Sequence, residues 1–448
     1  MANLPKPPVG AIYASFRQFA QTEVFGAVIL LITTIVALIW ANSPWHHAYE
    51  QLWHHVLTLG TTRLQMTESL HIWVNDGLMV LFFLVVGLEI KRELTVGELS
   101  SRSAALLPTC AALGGAVIPA GIYLAINLGH PGERGWGIPM ATDIAFALGV
   151  LALLGSAIPP ALKVFLGALA IVDDLLAVMV IAFVYTSRID WAALSLAAAI
   201  VVVLVAINRL GVRLLWVYGL LGIVLWVAVF QSGVHATIAG VLLAFTIPAG
   251  STIAPESFVR KARQTLVPFE KQPAGTGLQT DAQFEALEEL EHLVGQASSP
   301  ALRLEHMLHP LVSFAIVPLF ALANAGIRWQ GTVQAMLGNR IAIGIILGLV
   351  LGKVIGIQLG VWLPMRFGLV RLSEGLRPDL IFAVSWLGGI GFTMSIFVSD
   401  LAFPGDNVAD LRRSAQLAIV IASAIAGGIG YMMLRRSLFS RRALVVGR

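Results

Sequence analysis

Roughly twelve stretches of this chain are apolar enough to cross a lipid bilayer, and they follow one another with few polar breaks. A crossing helix needs about 20 predominantly apolar residues, and candidates lie near 24–42, 72–90, 103–127, 138–155, 160–186, 191–208, 211–230, 233–248, 308–327, 337–364, 379–402 and 414–435. Hydrocarbon offers a peptide group no outside hydrogen-bond partner, so each stretch is predicted to be a helix. Of the 448 residues 57% are hydrophobic and 12% charged, where soluble domains carry roughly 25% charged residues. A water-soluble enzyme is therefore excluded, and the predicted fold class is an all-α polytopic membrane protein. One cysteine, Cys110, allows no intramolecular disulfide and no cysteine zinc cluster. The formal charge of +4 is spread between apolar runs and forms no basic block, which argues against a nucleic-acid partner.

Orientation follows from the positive-inside rule. With the N-terminus inside, 21 Lys and Arg residues fall in inner loops and 7 in outer ones, and Lys353 alone lies inside a span. Both termini are predicted cytoplasmic. Two connections are long. The inner 249–303 carries a Gly-rich turn at Gly275–Gly277 and an acidic, helix-like stretch from Asp281 to Leu293. The outer 43–71 places apolar residues around Gly60-Thr61-Thr62, the pattern of a short β-hairpin. The histidines His46, His47, His54 and His55 of that loop read as a solvated surface more readily than as a metal site.

Charges inside the spans point to function. A carboxylate at the centre of a spanning helix costs roughly 2.5–3.5 kcal/mol on insertion scales, so such residues are functional candidates. Span 160–186 carries two adjacent ones, Asp173 and Asp174, which point about 100° apart on a helix and so face different neighbours. The preceding span opens with Pro139 and then Thr142-Asp143. That is either an interrupted helix whose oxygens coordinate a small hard cation or a helix cap. Lys353 lies too deep to reach either surface and needs a buried anion, Asp173 or Asp174. Around it Gly344, Gly348, Gly352, Gly356 and Gly360 recur every fourth residue, a stripe for close helix packing. Gly388, Gly389 and Gly391 form a second expected break, so that each three-span unit, 103–186 and 337–435, has an interrupted middle member. At the inner face GLEIKREL supplies Glu89, Arg92 and Glu93, and RLEHMLHP supplies Glu305, a charge network sensitive to pH. His235 is either part of that response or a hydrogen-bonded structural histidine.

The motifs NDGLM, GLEIKREL, ATDIAFALGVLALLG, LAIVDDLLAV, SGVHATIAG, RLEHMLHP, GKVIGI and GIGFTMSIF resemble the NhaA family of bacterial sodium/proton antiporters, from about Phe25 to Leu434. The resemblance implies inverted-topology repeats with two discontinuous crossing helices, a known property of that family. It implies an ion and proton site at Asp173, Asp174, Thr142 and Asp143, with Na+ at Asp173, Asp174 and Thr142. Lys353 is implied to pair with an aspartate there and, with Asp143, to compensate the broken-helix ends. Glu89, Arg92, Glu93, Glu305 and His235 are implied in pH response. It further implies one transporter unit over 1–436 and a cytoplasmic tail at 437–448. Within the unit lie a core bundle from about 103–186 and 337–435 and an interface bundle from about 24–90 and 191–327. The expected function is electrogenic exchange of Na+ or Li+ for external H+ by alternating access in a bacterial inner membrane, by a homodimer, with no cofactor. A sodium-coupled organic anion symporter and an intramembrane aspartyl protease are the alternatives. The extended 249–303 loop departs from the family's familiar members.

Overall fold

The computed structural model describes residues 23–61, 64–186, 189–271, 281–328, 338–370, 372 and 375–439. The Gly275–Gly277 turn, the 437–448 tail beyond Phe439, and the basic residues Lys6, Arg17, Arg63, Arg188 and Arg371 lie outside the described residues. Among the described residues the regular structure is helical apart from one hairpin, as the apolar runs require.

In chain order the helices are α1 (Glu23–Ala41), α2 (His46–His54), α3 (Leu70–Thr95), α4 (Arg102–Asn127), α5 (Ile144–Ala152), α6 (Pro160–Val184), α7 (Trp191–Arg209), α8 (Leu215–Gln231) and α9 (Ile238–Thr246). They continue with α10 (Pro255–Lys271), α11 (Asp281–Ala297), α12 (Pro300–Asn324), α13 (Arg340–Arg366), α14 (Pro378–Leu387), α15 (Phe392–Ala402) and α16 (Ala409–Phe439). Among the described residues eight helices are long and apolar enough to span, and up to ten if each of two bent pairs counts as one. The expected count of twelve needs two shorter pieces as well. α8 has 17 residues, and α9 has only 9, about 14 Å at 1.5 Å per residue and short of the bilayer core. The 233–248 run loses its first turn to Gly233, whose φ of 78° ends helical geometry.

The expected hairpin forms as β1 (Val56–Thr61) and β2 (Leu64–Ser69), antiparallel with Val56 opposite Ser69 and Thr61 opposite Leu64. α2 turns through 112° from α1 and leads into it. The long connection holds two helices, α10 and α11, packed on each other, where the sequence had suggested only the second. Three spans contain π-helical turns that no residue pattern announced: Trp73–Leu78 in α3, Val312–Ile316 in α12 and Gly348–Gly352 in α13.

α6 and α13 are the most enclosed spans and α7 the least: 67% of the apolar window of each of the first two is buried, against 17% for α7. α13 meets α4 along the glycine stripe. A Cβ on Gly356 would overlap the carbonyl of Gly114, and one on Gly360 that of Cys110. One on Gly352 would press on Pro119, and one on Gly344 on Asn127. Residue numbers fall along α13 as they rise along α4, so these first helices of the two three-span units run antiparallel. That is the relation an inverted repeat demands.

Candidate functional site

Both expected breaks form, and they lie against each other. The first separates a 3-10 turn, Glu133–Met140, from α5. The second separates α14 from α15, which bend by 48° at Gly388–Gly391. Each break satisfies the other's backbone. Asp143 N–H donates to the Ile390 carbonyl at 2.6 Å, and Thr142 Oγ1 donates to the Gly388 carbonyl at 2.8 Å. Glycine is required here by proximity, since a Cβ on Gly389 would strike the Leu349 carbonyl and one on Gly391 the Ser395 hydroxyl.

Asp143 serves two helix starts at once. Its Oδ1 accepts from Phe146 N–H at 3.0 Å, capping α5. Its Oδ2 accepts from Thr393 N–H at 3.0 Å and Thr393 Oγ1 at 2.5 Å, at the first turn of α15. Two helix N-termini, each with orphan N–H groups and a partial positive charge, thus share one buried carboxylate. Cap and interrupted helix, alternatives in the sequence, are both realised. The sequence marks Thr393 as a hydroxyl that follows the glycine cluster, and not as a site residue.

The Asp pair sits beside this crossing. Lys353 Nζ donates to Asp173 Oδ2 at 2.5 Å, with both side chains wholly inaccessible, so the buried anion for Lys353 is Asp173. Thr142 Oγ1 lies 2.7 Å from the same Oδ2. Among the described residues no hydrogen bond joins the Lys353 ammonium to a carbonyl of either break. Asp174, one residue on, faces elsewhere and lies in the field of Asp173, Glu89 and Asp143, with Lys353 opposing them. Asp173 Oδ1 and Asp174 Oδ1 are buried and have no hydrogen-bond partner among the described residues. A buried acceptor left open costs about 1–3 kcal/mol, and more when charged. Open acceptors of this kind can take up a positive charge, a proton or a small bare cation.

The other candidates divide between the two ends of the bundle. Arg92 Nη1 bridges Glu305 Oε1 at 2.5 Å, and Arg92 Nη2 lies 3.5 Å from Glu93. This network ties the end of α3 to the start of α12. His235 is elsewhere: its Nε2 is 3.3 Å from the carbonyl of Tyr185, after α6, in the turn between α8 and α9. Near the end of α8, Trp226 Nε1 donates to the Asp76 carbonyl at the opposite end of α3 from Arg92. Asp76 itself lies within the π turn and does not begin a helix.

The crossing of two broken helices over a buried acid pair is matched by sequence likeness. A family model described as Na+/H+ antiporter 1 covers residues 17–434. The chain belongs to that family. A Na(+)/H(+) antiporter NhaA of Oleidesulfovibrio alaskensis is 46% identical over 436 residues, 97% of this chain and 96% of the relative. One of Koribacter versatilis is 46% identical over 430 residues, 96% and 93% of the two chains. One of Sulfurimonas denitrificans is 43% identical over 427, 95% and 96%. As a member of the Na+/H+ antiporter 1 family the chain is a multi-pass membrane transporter and not an enzyme.

Proposed function

We propose that the protein exchanges Na+ or Li+ for protons across a bacterial inner membrane, by competition at Asp173 and Asp174. The observation that carries this is the pair of open, buried carboxylate oxygens beside the Thr142 hydroxyl. A bare alkali ion needs anionic and neutral oxygens in place of its water, and Asp174, Asp173 and Thr142 supply them. The same oxygens bind protons, so the two cargoes exclude each other. Sodium arriving at Asp173 competes with the Lys353 ammonium, which is then free to give up a proton. With Asp174 and Lys353 both losing protons, more than one proton moves per cation and the cycle is electrogenic.

In this reading Asp143 is committed to the two helix starts and stays out of the ligand set. Its commitment also leaves an aspartyl protease without a second free acid on a facing helix. The broken pair α5 and α15 moves with the rest of α4 to α6 and α13 to α16 as a core against an interface bundle of α1 to α3 and α7 to α12, opening the site to one side at a time. The termini face the cytoplasm, and the β1–β2 hairpin joins two copies into a homodimer. Arg92, Glu305, Glu93 and Glu89 set the response to cytoplasmic pH, while His235 stands at the other end of the bundle, apart from that network.

The test is sodium-driven dissipation of a pH gradient in proteoliposomes. Asp174→Asn is expected to abolish it, and Lys353→Ala to alter pH dependence or coupling. Full exchange by Asp174→Asn would remove that residue from the mechanism.

A further inference from the structure

The hairpin end of the bundle holds a further acid, part-buried, with one carboxylate oxygen shut off from solvent. A cavity of about 200 Å³ opens there, lined by Tyr49, His71, Asn324, Asp400, Arg412 and Gln416 among others. Asp400 lies near the end of α15, seven residues beyond Thr393, about 10 Å along the helix from the crossing. Its Oδ1 accepts from Gln416 Nε2 at 2.9 Å. Its Oδ2 is buried with no hydrogen-bond partner among the described residues. Asn75 faces the same carboxylate, and Arg412 lies in its field without forming an ion pair among the described residues.

Beside Asp400, from Asn75 onward, a hydrogen-bonded polar chain leads across the bundle. Asn324 Nδ2 donates to Asn75 Oδ1 at 2.8 Å, and Asn75 Nδ2 lies 3.2 Å from Asn324 Oδ1. His71 Nε2 is 2.8 Å from that same Oδ1, so Nε2 carries the hydrogen. The chain runs from α3 to α12. The charged groups facing it are Glu50 and His54 on α2, His71 on α3, Arg328 after α12, and Arg412 and Arg413 on α16. Glu50 is engaged with Arg328 at 3.1 Å. Arg413 is engaged with Asp410 at 3.2 Å, which leaves the Arg412 guanidinium as the counter-charge to Asp400, so a sodium ion gains little by resting here. A proton needs only one open carboxylate oxygen, with polar groups to carry it on.

We propose that Asp400 is a proton-loading site for the exchange, taking protons from the hairpin-side solution before they reach Asp173 and Asp174. A hydronium ion in the cavity gives its proton to Oδ2, an O–H bond forms, and water is left behind. Oδ2 then gives the proton up through water to the Asp173–Asp174 pair, its O–H bond breaking and its carboxylate reforming, and that pair later releases the proton to water on the inner side. This rests on the exchange reading above and on the hairpin facing outward.

The test measures radiosodium efflux from right-side-out vesicles as external pH is varied at fixed internal pH, and the reverse in inside-out vesicles, with full-length protein. Asp400→Asn keeps the shape of the side chain and its bond to Gln416. It is expected to need about tenfold more external protons for half-maximal flux, as for loss of one protonatable group, while the cytoplasmic pH profile stays that of the parent. Asp400→Glu is expected to restore the external profile. The proposal is overturned if Asp400→Asn keeps the parent's external profile, if both profiles move together, or if Asp400→Glu is as defective as Asp400→Asn. Absence of sodium-coupled proton flux in the parent would instead bring down the exchange reading, and this proposal with it.

Discussion

Replacing Lys353 by methionine keeps the length and most of the volume of a side chain with no accessible surface and removes only its charge. Asp173 then loses the ammonium at 2.5 Å and, among the described residues, keeps only the Thr142 hydroxyl, 2.7 Å from its Oδ2. Its Oδ1 already has none. Stranding one member of a buried pair costs about 3–5 kcal/mol, and each 1.4 kcal/mol is tenfold in an equilibrium. Lys353→Met should therefore melt well below the parent. Adding Asp173→Asn removes the stranded charge, and the double variant should recover most of the loss, since a buried ion pair replaced as a whole is often neutral or stabilising. The assay is the apparent melting temperature of the four proteins in one detergent at neutral pH, read by loss of helical circular dichroism. A single variant as stable as the parent, or a double variant no better than the single, would refute the argument that Lys353 is held in place by Asp173.

Asp174→Asn should abolish sodium binding, read by calorimetry, with little loss of stability, because its buried Oδ1 supports no hydrogen bond among the described residues; undiminished binding would contradict this. Gly356→Ala places a Cβ onto the Gly114 carbonyl, and overpacking of this kind costs about 1–3 kcal/mol; an unchanged melting temperature would show that α4 and α13 yield freely. Arg92 is partly exposed while Glu305 is buried, so Glu305→Gln should cost at most about 1 kcal/mol of pairing energy yet shift the dependence of exchange on cytoplasmic pH. An unmoved profile would take that bridge out of the pH response.

Much of the site was legible because charge in hydrocarbon is costly and leaves a conspicuous mark. Asp173, Asp174 and Lys353 announce themselves within apolar runs, and Gly388, Gly389 and Gly391 mark a break by lacking the side chains that helices favour. The glycine spacing around Lys353 likewise foretold a close helix contact, which α4 provides. Asp400 passed unnoticed because it lies near a span's end, where a charge reads as boundary decoration; its burial depends on α3, α12 and α16 closing over it. The π turns leave no mark in residue spacing, whereas α10 is amphipathic at helical spacing and escaped notice because it lies in a polar connection between spans.

What the chain alone determined was its solvent, its succession of helices and the presence of acids and a lysine that must find partners away from water. Which partners they find was decided only in three dimensions. Lys353 meets Asp173 rather than Asp174 because neighbouring helix positions diverge by about 100° and only one of the two carboxylates turns toward α13. Asp143 holds Thr393, 250 residues away, because two interrupted helices cross there and their exposed N–H groups point at one place. Linear order carries the cost of a buried charge; the crossing of distant segments settles how that cost is met.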